Sequence, residues 1–203
     1  MNCIRLCARK MRAMNPDKIV PLTPDRWADF ETLFGPHGAC GGCWCMFWKL
    51  PRKEFSAGEG EINRSAQRQI VLSGQIPGLL AYRDGIPVGW LAVEPRDHYP
   101  VLKNSRILKP LDDLPVWSLT CFFVKKKYRN QGLTVALLKS AIDFVDEQGG
   151  EVLEGYPVEP RNTEKMSPIF IYHGLASAFI KAGFFEAARR SETRPIMRYV
   201  IKK

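Results

Sequence analysis

The hydrophobic positions of the chain change period several times, and each change marks an element. Residues 117–124 (WSLTCFFV) are aromatic, apolar and β-branched without a charge, the composition of a strand covered on both faces. From Thr134 the period lengthens. Leu137, Leu138, Ala141, Ile142 and Val145 share one helical face, and Lys139, Asp143 and Glu147 share the opposite one, which predicts a packed amphipathic helix. Gly149-Gly150 ends it, and residues 151–156 (EVLEGY) read as the next strand. Strand, helix and strand in that order imply a parallel pair joined by a right-handed crossover.

Around this centre the pattern predicts five more strands and three more helices. Residues 18–22 form a short first strand, and Thr23-Pro24-Asp25 opens a helix with an N-cap and a first-turn proline. Trp27, Phe30, Leu33 and Phe34 give that helix its apolar stripe, ended by Gly35-Pro36. Residues 59–72 read as a second helix on Ile62, Ala66 and Ile70. Residues 79–83 and 87–93 are apolar strands joined at Asp84-Gly85, a hairpin signal. Residues 95–114 are a polar, proline-bounded connection with one helical turn, and residues 162–168 are a loop. A short helix over 175–182 precedes strands over 184–190 and 196–201, joined by Thr193-Arg194-Pro195. The expected fold class is therefore mixed α/β in a single domain. It has a central, mostly antiparallel sheet of six to seven strands, flanked by about four helices.

Composition narrows the class. In 203 residues, 45% hydrophobic content supports one sizeable core, assigned to residues 18–203, with 1–17 a basic N-terminal extension. No apolar run approaches the ~20 residues that span a bilayer, and no signal-peptide pattern opens the chain, so a cytoplasmic location is expected. The six cysteines are then reduced thiols rather than a disulfide framework. The net charge of +9 is scattered except at the termini and at residues 125–129, leaving RNA association a minor alternative.

Two stretches carry chemistry. Between central strand and helix lies KKKYRNQGL (125–133), with Gly132 at the turn into the helix. Glycine lets backbone approach a ligand closely, and the free N–H groups of a first helical turn suit a phosphate. The loop has neither the Lys-Ser/Thr of a Walker loop nor the three glycines of a dinucleotide fingerprint. The other stretch, HGACGGCWCMFW (37–48), holds His37, Cys40, Cys43 and Cys45, enough N/S ligands for structural zinc. Cys43 and Cys45 are separated by one residue, and the interleaved Trp and Met argue for burial, so packing or pocket-lining thiols without metal are expected.

Val124, Tyr128 and Arg129-Asn130-Gln131-Gly132-Leu133-Thr134 resemble the acyl-CoA loop of the GNAT superfamily of N-acetyltransferases, whose pattern is Arg/Gln-x-x-Gly-x-Gly/Ala; Thr134 departs from its last position. Ala182-Gly183-Phe184 after a short helix resembles the closing Tyr-x-x-x-Gly-Phe motif of the same superfamily. The resemblance covers about residues 21–201 and implies a parallel pair splayed in mid-sheet. By it, Arg129, Asn130, Gln131, Gly132, Leu133 and Thr134 hold the CoA pyrophosphate, Phe122, Phe123 and Val124 line the pantetheine arm, and the Val124 N–H serves the oxyanion. It also places Trp44, Phe47 and Trp48 beside the acceptor.

The implied activity is acetyl transfer from acetyl-CoA, the cosubstrate, to an amine by direct attack in a ternary complex. The alternative is a non-catalytic acyl-CoA sensor or partner-binding protein on the same fold. Glu154 and Glu94 are the leading carboxylates for the base, ahead of His98 and His173. The family's usual tyrosine acid falls on Phe179, which has no proton to give. Tyr172 is the nearest substitute, and water or the amine proton is expected to serve in its place. The acceptor and the oligomeric state stay open, a homodimer included.

Overall fold

Seven strands hydrogen-bond into one sheet in the order β1-β2-β3-β4-β5-β7-β6, in a computed structural model that describes residues 18–160 and 172–202. The strands are β1 (Lys18–Pro21), β2 (Gly78–Arg83), β3 (Ile86–Pro95), β4 (Val116–Val124), β5 (Val152–Gly155), β6 (Phe185–Arg189) and β7 (Pro195–Val200). Every neighbouring pair is antiparallel except β4 and β5. The basic extension over 1–17 and the loop over 162–168 lie outside the described residues.

The helices are α1 (Trp27–Phe34), α2 (Arg52–Ala57), α3 (Glu61–Leu72), α4 (Pro100–Lys103), α5 (Leu133–Glu147) and α6 (Ala176–Lys181). Two exceed the expected four: α2 and α4 are only six and four residues long, too short to show a period. Thr23 does not cap α1. Its hydroxyl donates to Asp25 and accepts from Arg26, and a 3-10 turn over Pro24–Arg26 intervenes.

Helix α3 departs from its hydrophobic pattern. Asn63, Gln67 and Val71 are its buried residues, and Ile62, expected on the inner face, is 66% exposed. The polar anchor decides the rotation, since the Asn63 amide donates to the carbonyls of Gly42 and Phe55, tying α3 to the cysteine-rich segment and to α2. The two Asn63 bonds offset part of the cost of this rotation, which also buries Gln67 with no partner for either amide atom among the described residues.

Alternation along the strands sends side chains to two cores. Leu91, Val93, Leu119 and Leu153 pack under α5 and α6 with Leu137, Leu138, Ala141, Val145 and Phe179. On the other face Trp90, Ala92 and Leu80 meet Trp27, Phe30 and Phe34 of α1, together with Trp44 and Cys45. A smaller cluster of Tyr99, Leu102, Leu108, Tyr156 and Ile196 covers the rest of that face.

The parallel ladder runs only from Val116↔Val152 to Leu119↔Gly155, although β4 continues to Val124. Beyond it the Phe122 N–H donates to the Tyr172 carbonyl at 2.6 Å, while Val158 pairs with Leu175. The sheet thus opens at the C-terminal half of β4. Gly155 ends β5 under the fully buried Phe179 ring, and a Cβ there would lie 2.2 Å from Phe179 Cε1. Gly155→Ala is therefore expected to lower stability by about 1–3 kcal/mol through overpacking. Phe179→Leu in the same chain should recover part of it, as read from urea unfolding of the two single variants and the double variant.

Candidate active site

The loop after β4 is built to leave backbone amides free. Lys126–Tyr128 make a single 3-10 turn, and Asn130 (φ 60°) and Gly132 (φ 84°) take left-handed backbone that reverses the chain into α5. The Ala136 N–H bonds the Gly132 carbonyl, so the amides of Leu133, Thr134 and Val135 precede the first α-helical bond. They stand at the positive end of a 15-residue helix. Side chains brace the loop: Arg129 Nε donates to the Val124 carbonyl, Gln131 Nε2 to the Lys127 carbonyl, and Arg83 to Gln131 Oε1, each at 2.9 Å. Leu133 is buried and touches the backbone of Gly89 from above. This cradle suits a phosphate held by backbone, with Lys125, Lys126 and Lys127 adding field rather than fixed contacts. These residues fit the diphosphate of CoA.

The exposed edge of β4 leads from the cradle into the gap. Lys125 N donates to the Val88 carbonyl on the β3 side. Alternation then turns the Val124 N–H to the opposite edge, the one from which the Phe122 N–H meets Tyr172. The Phe122 ring is buried against Phe179, with centroids 5.9 Å apart, and Phe123 turns to the other face against Phe34.

Of the three aromatic residues assigned to the acceptor, two meet at this gap. Phe47 lies 6.2 Å from the Tyr172 ring and Trp48 5.5 Å from His173, whose imidazole is 3.9 Å from Tyr172. Trp44 goes elsewhere. It stacks on Phe34 in the α1 core and is 4% exposed. Cys45 is also buried there, accepting from the Trp90 indole at 3.2 Å, with the Cys121 thiol beside it. That contact pulls the Cys45 thiol below its ordinary range and, with burial, pushes Cys121 well above it. Burial raises Cys43 to about 11. Among the described residues the cysteines are free and no set of three His, Cys, Asp or Glu side chains is arranged to hold a metal.

The two carboxylates sit in different surroundings. Glu154 is sealed in: Oε1 accepts from Arg96 Nη1 at 2.8 Å and from the Tyr156 hydroxyl at 2.9 Å, and Oε2 from Arg198 Nε at 2.8 Å. Arg198 continues to both oxygens of Asp112, and Arg96 to the Leu108 carbonyl. Glu94 is equally buried, but its partners are Lys49 and the Nδ1 of His98, at 3.1 Å, and the His98 side chain is 39% exposed. Glu94 and His98 line a groove of about 230 Å³ with Ile76, Trp117 and Phe144. Tyr172 is half-buried, and desolvation first, then the neighbouring thiols, raises its phenol well above the usual value. Phe179 is wholly apolar in its contacts, edge-on to Phe122 and Phe184. Lys49, Arg96 and Arg198 escaped the sequence reading. The one available signal was Arg198 as a lone charge among the apolar residues of its strand.

A protein-family model described as the acetyltransferase (GNAT) family matches residues 44–164. No curated protein sequence matches the chain. Solved structures do. A GNAT-family acetyltransferase from Listeria monocytogenes is 11% identical over 93% of this chain and 99% of its own, with a TM-score of 0.57. A structure of histone acetyltransferase HPA2 and related acetyltransferase from Corynebacterium glutamicum is 16% identical over 94% and 98%, with a TM-score of 0.53. The PaiA N-acetyltransferase of Thermoplasma acidophilum, solved in complex with coenzyme A, is 14% identical over 91% and 98%, with a TM-score of 0.50. At such identities the structures speak for the fold, and the family model, which spans more than half of the chain, speaks for descent: this protein belongs to the GNAT family of acetyltransferases.

Proposed function

We propose that this acetyltransferase takes the acetyl group from acetyl-CoA and passes it to an amine by direct attack in a ternary complex. The observation that carries the reading is the phosphate cradle at Gly132 opening onto the free edge of β4. The amides of Leu133 to Val135 hold the diphosphate, with Arg129, Asn130 and Gln131 shaping the loop. The edge at Phe122, Phe123 and Val124 takes the pantetheine arm. The Tyr172 carbonyl, already on the Phe122 N–H, sets how deep the arm can run. The Val124 N–H then donates to the oxyanion as it forms.

Attack joins the amine nitrogen to the acyl carbon and releases CoA as thiolate, so one proton must leave the amine and one must reach sulfur. Glu94, opposite Ser118 and six residues along β4 from Val124, is the base in this reading through a chain of waters, and His98 passes the proton to solvent, because His98 alone among its partners reaches the surface. Glu154 has both oxygens committed to arginines and serves to position β5 against β7. The acid needs no side chain, since a thiol of pKa ~8.5 already leaves readily near neutral pH. A cytoplasmic location fits the free thiols, and among the described residues no helix is long and apolar enough to cross a membrane.

Gly132→Val is expected to weaken CoA binding at least ~100-fold by calorimetry while far-ultraviolet circular dichroism stays native, because valine is strained at φ 84° and stands in the phosphate's place. CoA affinity equal to wild type would remove the cradle. With thiol release from acetyl-CoA followed over a panel of amines, Glu94→Gln should cut kcat by ~100-fold or more. Glu154→Gln should instead cost about 3 kcal/mol of stability, by leaving two guanidinium groups short of charge. CoA binding with no turnover of any amine would make the protein a sensor. Tyr172→Phe should keep turnover within a few fold. A ~100-fold loss with folding and CoA affinity intact would make Tyr172 the acid.

A further inference from the structure

Arg194, in the turn between β6 and β7, is a half-buried guanidinium with no hydrogen bond or ion pair among the described residues. The other partly or fully buried arginines contrast with it: Arg26, Arg64, Arg83, Arg96, Arg129 and Arg198 each hold a carboxylate, hydroxyl, amide or carbonyl oxygen. Taking part of a guanidinium out of water without a partner costs free energy, which a bound anion would offset. The turn itself is fixed, since Thr193 O accepts from Glu159 N at 2.9 Å and Met197 pairs with Gly155. The Glu159 N–H bonds the Thr193 carbonyl and the adjacent Val158 N–H bonds the Gly174 carbonyl, each at 2.9 Å, so residues 158–159 stand between the turn that carries Arg194 and the segment that carries Tyr172 and His173; across that spacing its charge acts on both.

His173 is fully buried, and neither of its nitrogens has a hydrogen-bond partner among the described residues; the Thr120 backbone comes near but outside bonding geometry. Burial, and then the charge of Arg194, keep it neutral. The Trp48 indole N–H, in the neighbouring ring 5.5 Å away, is likewise buried and unpartnered. Three N–H donors therefore gather beside the end of the β4 edge, carrying one positive charge among them. The surrounding carboxylates leave that charge uncancelled, because Glu94 faces Lys49 and His98, and Glu154 faces Arg96 and Arg198.

Resting on the amine-acceptor reading above, we infer that Arg194, His173 and Trp48 bind a carboxylate on the acceptor, which makes the acceptor an amino acid or a similar amino carboxylate. One charge matches a carboxylate, whereas a phosphate dianion would be left half-neutralised in a partly dry site. The planar guanidinium fits the two carboxylate oxygens as a fork. The Phe122 to Tyr172 bond holds this site against β4, beside the edge proposed for the acyl arm.

The test uses matched acceptors, amino acids beside their carboxamides and their decarboxylated amines, with saturating acetyl-CoA and the full chain. Wild type should prefer the carboxylate by ~10-fold or more in kcat/KM. Arg194→Gln should lose ~30-fold on the amino acid, mainly in KM, stay within about 2-fold on the decarboxylated amine, and keep its CoA affinity; Arg194→Lys should fall between. Equal use of carboxylate and carboxamide by wild type, equal loss on both in Arg194→Gln, or weakened CoA binding in that variant would each overturn the assignment. Calorimetry of the CoA-loaded protein with the same amino acids separates this from the transfer reading. Arg194-dependent binding without turnover would uphold the carboxylate site and reject amine transfer, and no binding of any amino acid would reject the site.

Discussion

The parallel ladder between β4 and β5 breaks after Leu119 and Gly155, where the Phe179 ring lies directly on the glycine. A fully paired β4 would have its edge amides consumed by β5, as any central strand does. Because pairing stops, the amides of Phe122 and Val124 face a gap, one meeting the Tyr172 carbonyl. The exposed edge of β4, Phe47, Trp48, Tyr172 and His173 all collect around that opening. The same ring accounts for the absent tyrosine acid, since Phe179 is fully buried in apolar contacts and a hydroxyl there would need a partner of its own.

Opening a sheet in its middle weakens it unless something else ties its halves together. The buried network through Glu154 does so. Its carboxylate joins β5 to Arg198 of β7 and to Arg96 after β3, Tyr156 relays it to Ser118 of β4, and Asp112 ties the long connection to Arg198. Such a network is only as good as its satisfaction, since each charge left unpaired inside costs more than the pair gains. Here each carboxylate oxygen holds a guanidinium N–H, though the Nε of Arg96 has no partner among the described residues. Glu154 is sealed among its arginines, whereas Glu94, with a partner on each oxygen too, has one partner, His98, whose side chain is 39% exposed.

Local patterns were legible in the sequence and distant ones were not. The strand, glycine turn and helix from 116 to 147 follow from hydrophobic period and one conformational requirement, both readable within a few residues. The Asp84-Gly85 turn is of the same kind, with φ of 50° and 70° at its two residues. By contrast the arginines of the Glu154 network reach across 44, 58 and 86 residues of sequence, a scale on which a single chain carries no pattern. The face of α3 failed differently. Ile62, Ala66 and Ile70 were the better apolar stripe, yet Asn63 found two carbonyls supplied by other segments, and those acceptors appear only once the chain has folded.

Trp44, expected beside the acceptor, lies in the α1 core and still directs the segment that follows it. Trp44 and Cys45 both hold left-handed backbone, at φ of 46° and 67°, a conformation costing about 1–2 kcal/mol per residue that is not glycine. What offsets it is burial of the Trp44 ring on Phe34 and of the Cys45 sulfur against Trp90 and Cys121, a large indole alone being worth a few kcal/mol. The strained pair reverses the chain so that the next residues leave the core. Phe47 then reaches Tyr172, Trp48 reaches His173 and Lys49 reaches Glu94. The course of Phe47, Trp48 and Lys49 is thus set by an anchor that stays in the α1 core, and the cysteine-rich segment helps to hold it: a small polarisable sulfur fits against β3 and β4 where a larger side chain would be overpacked.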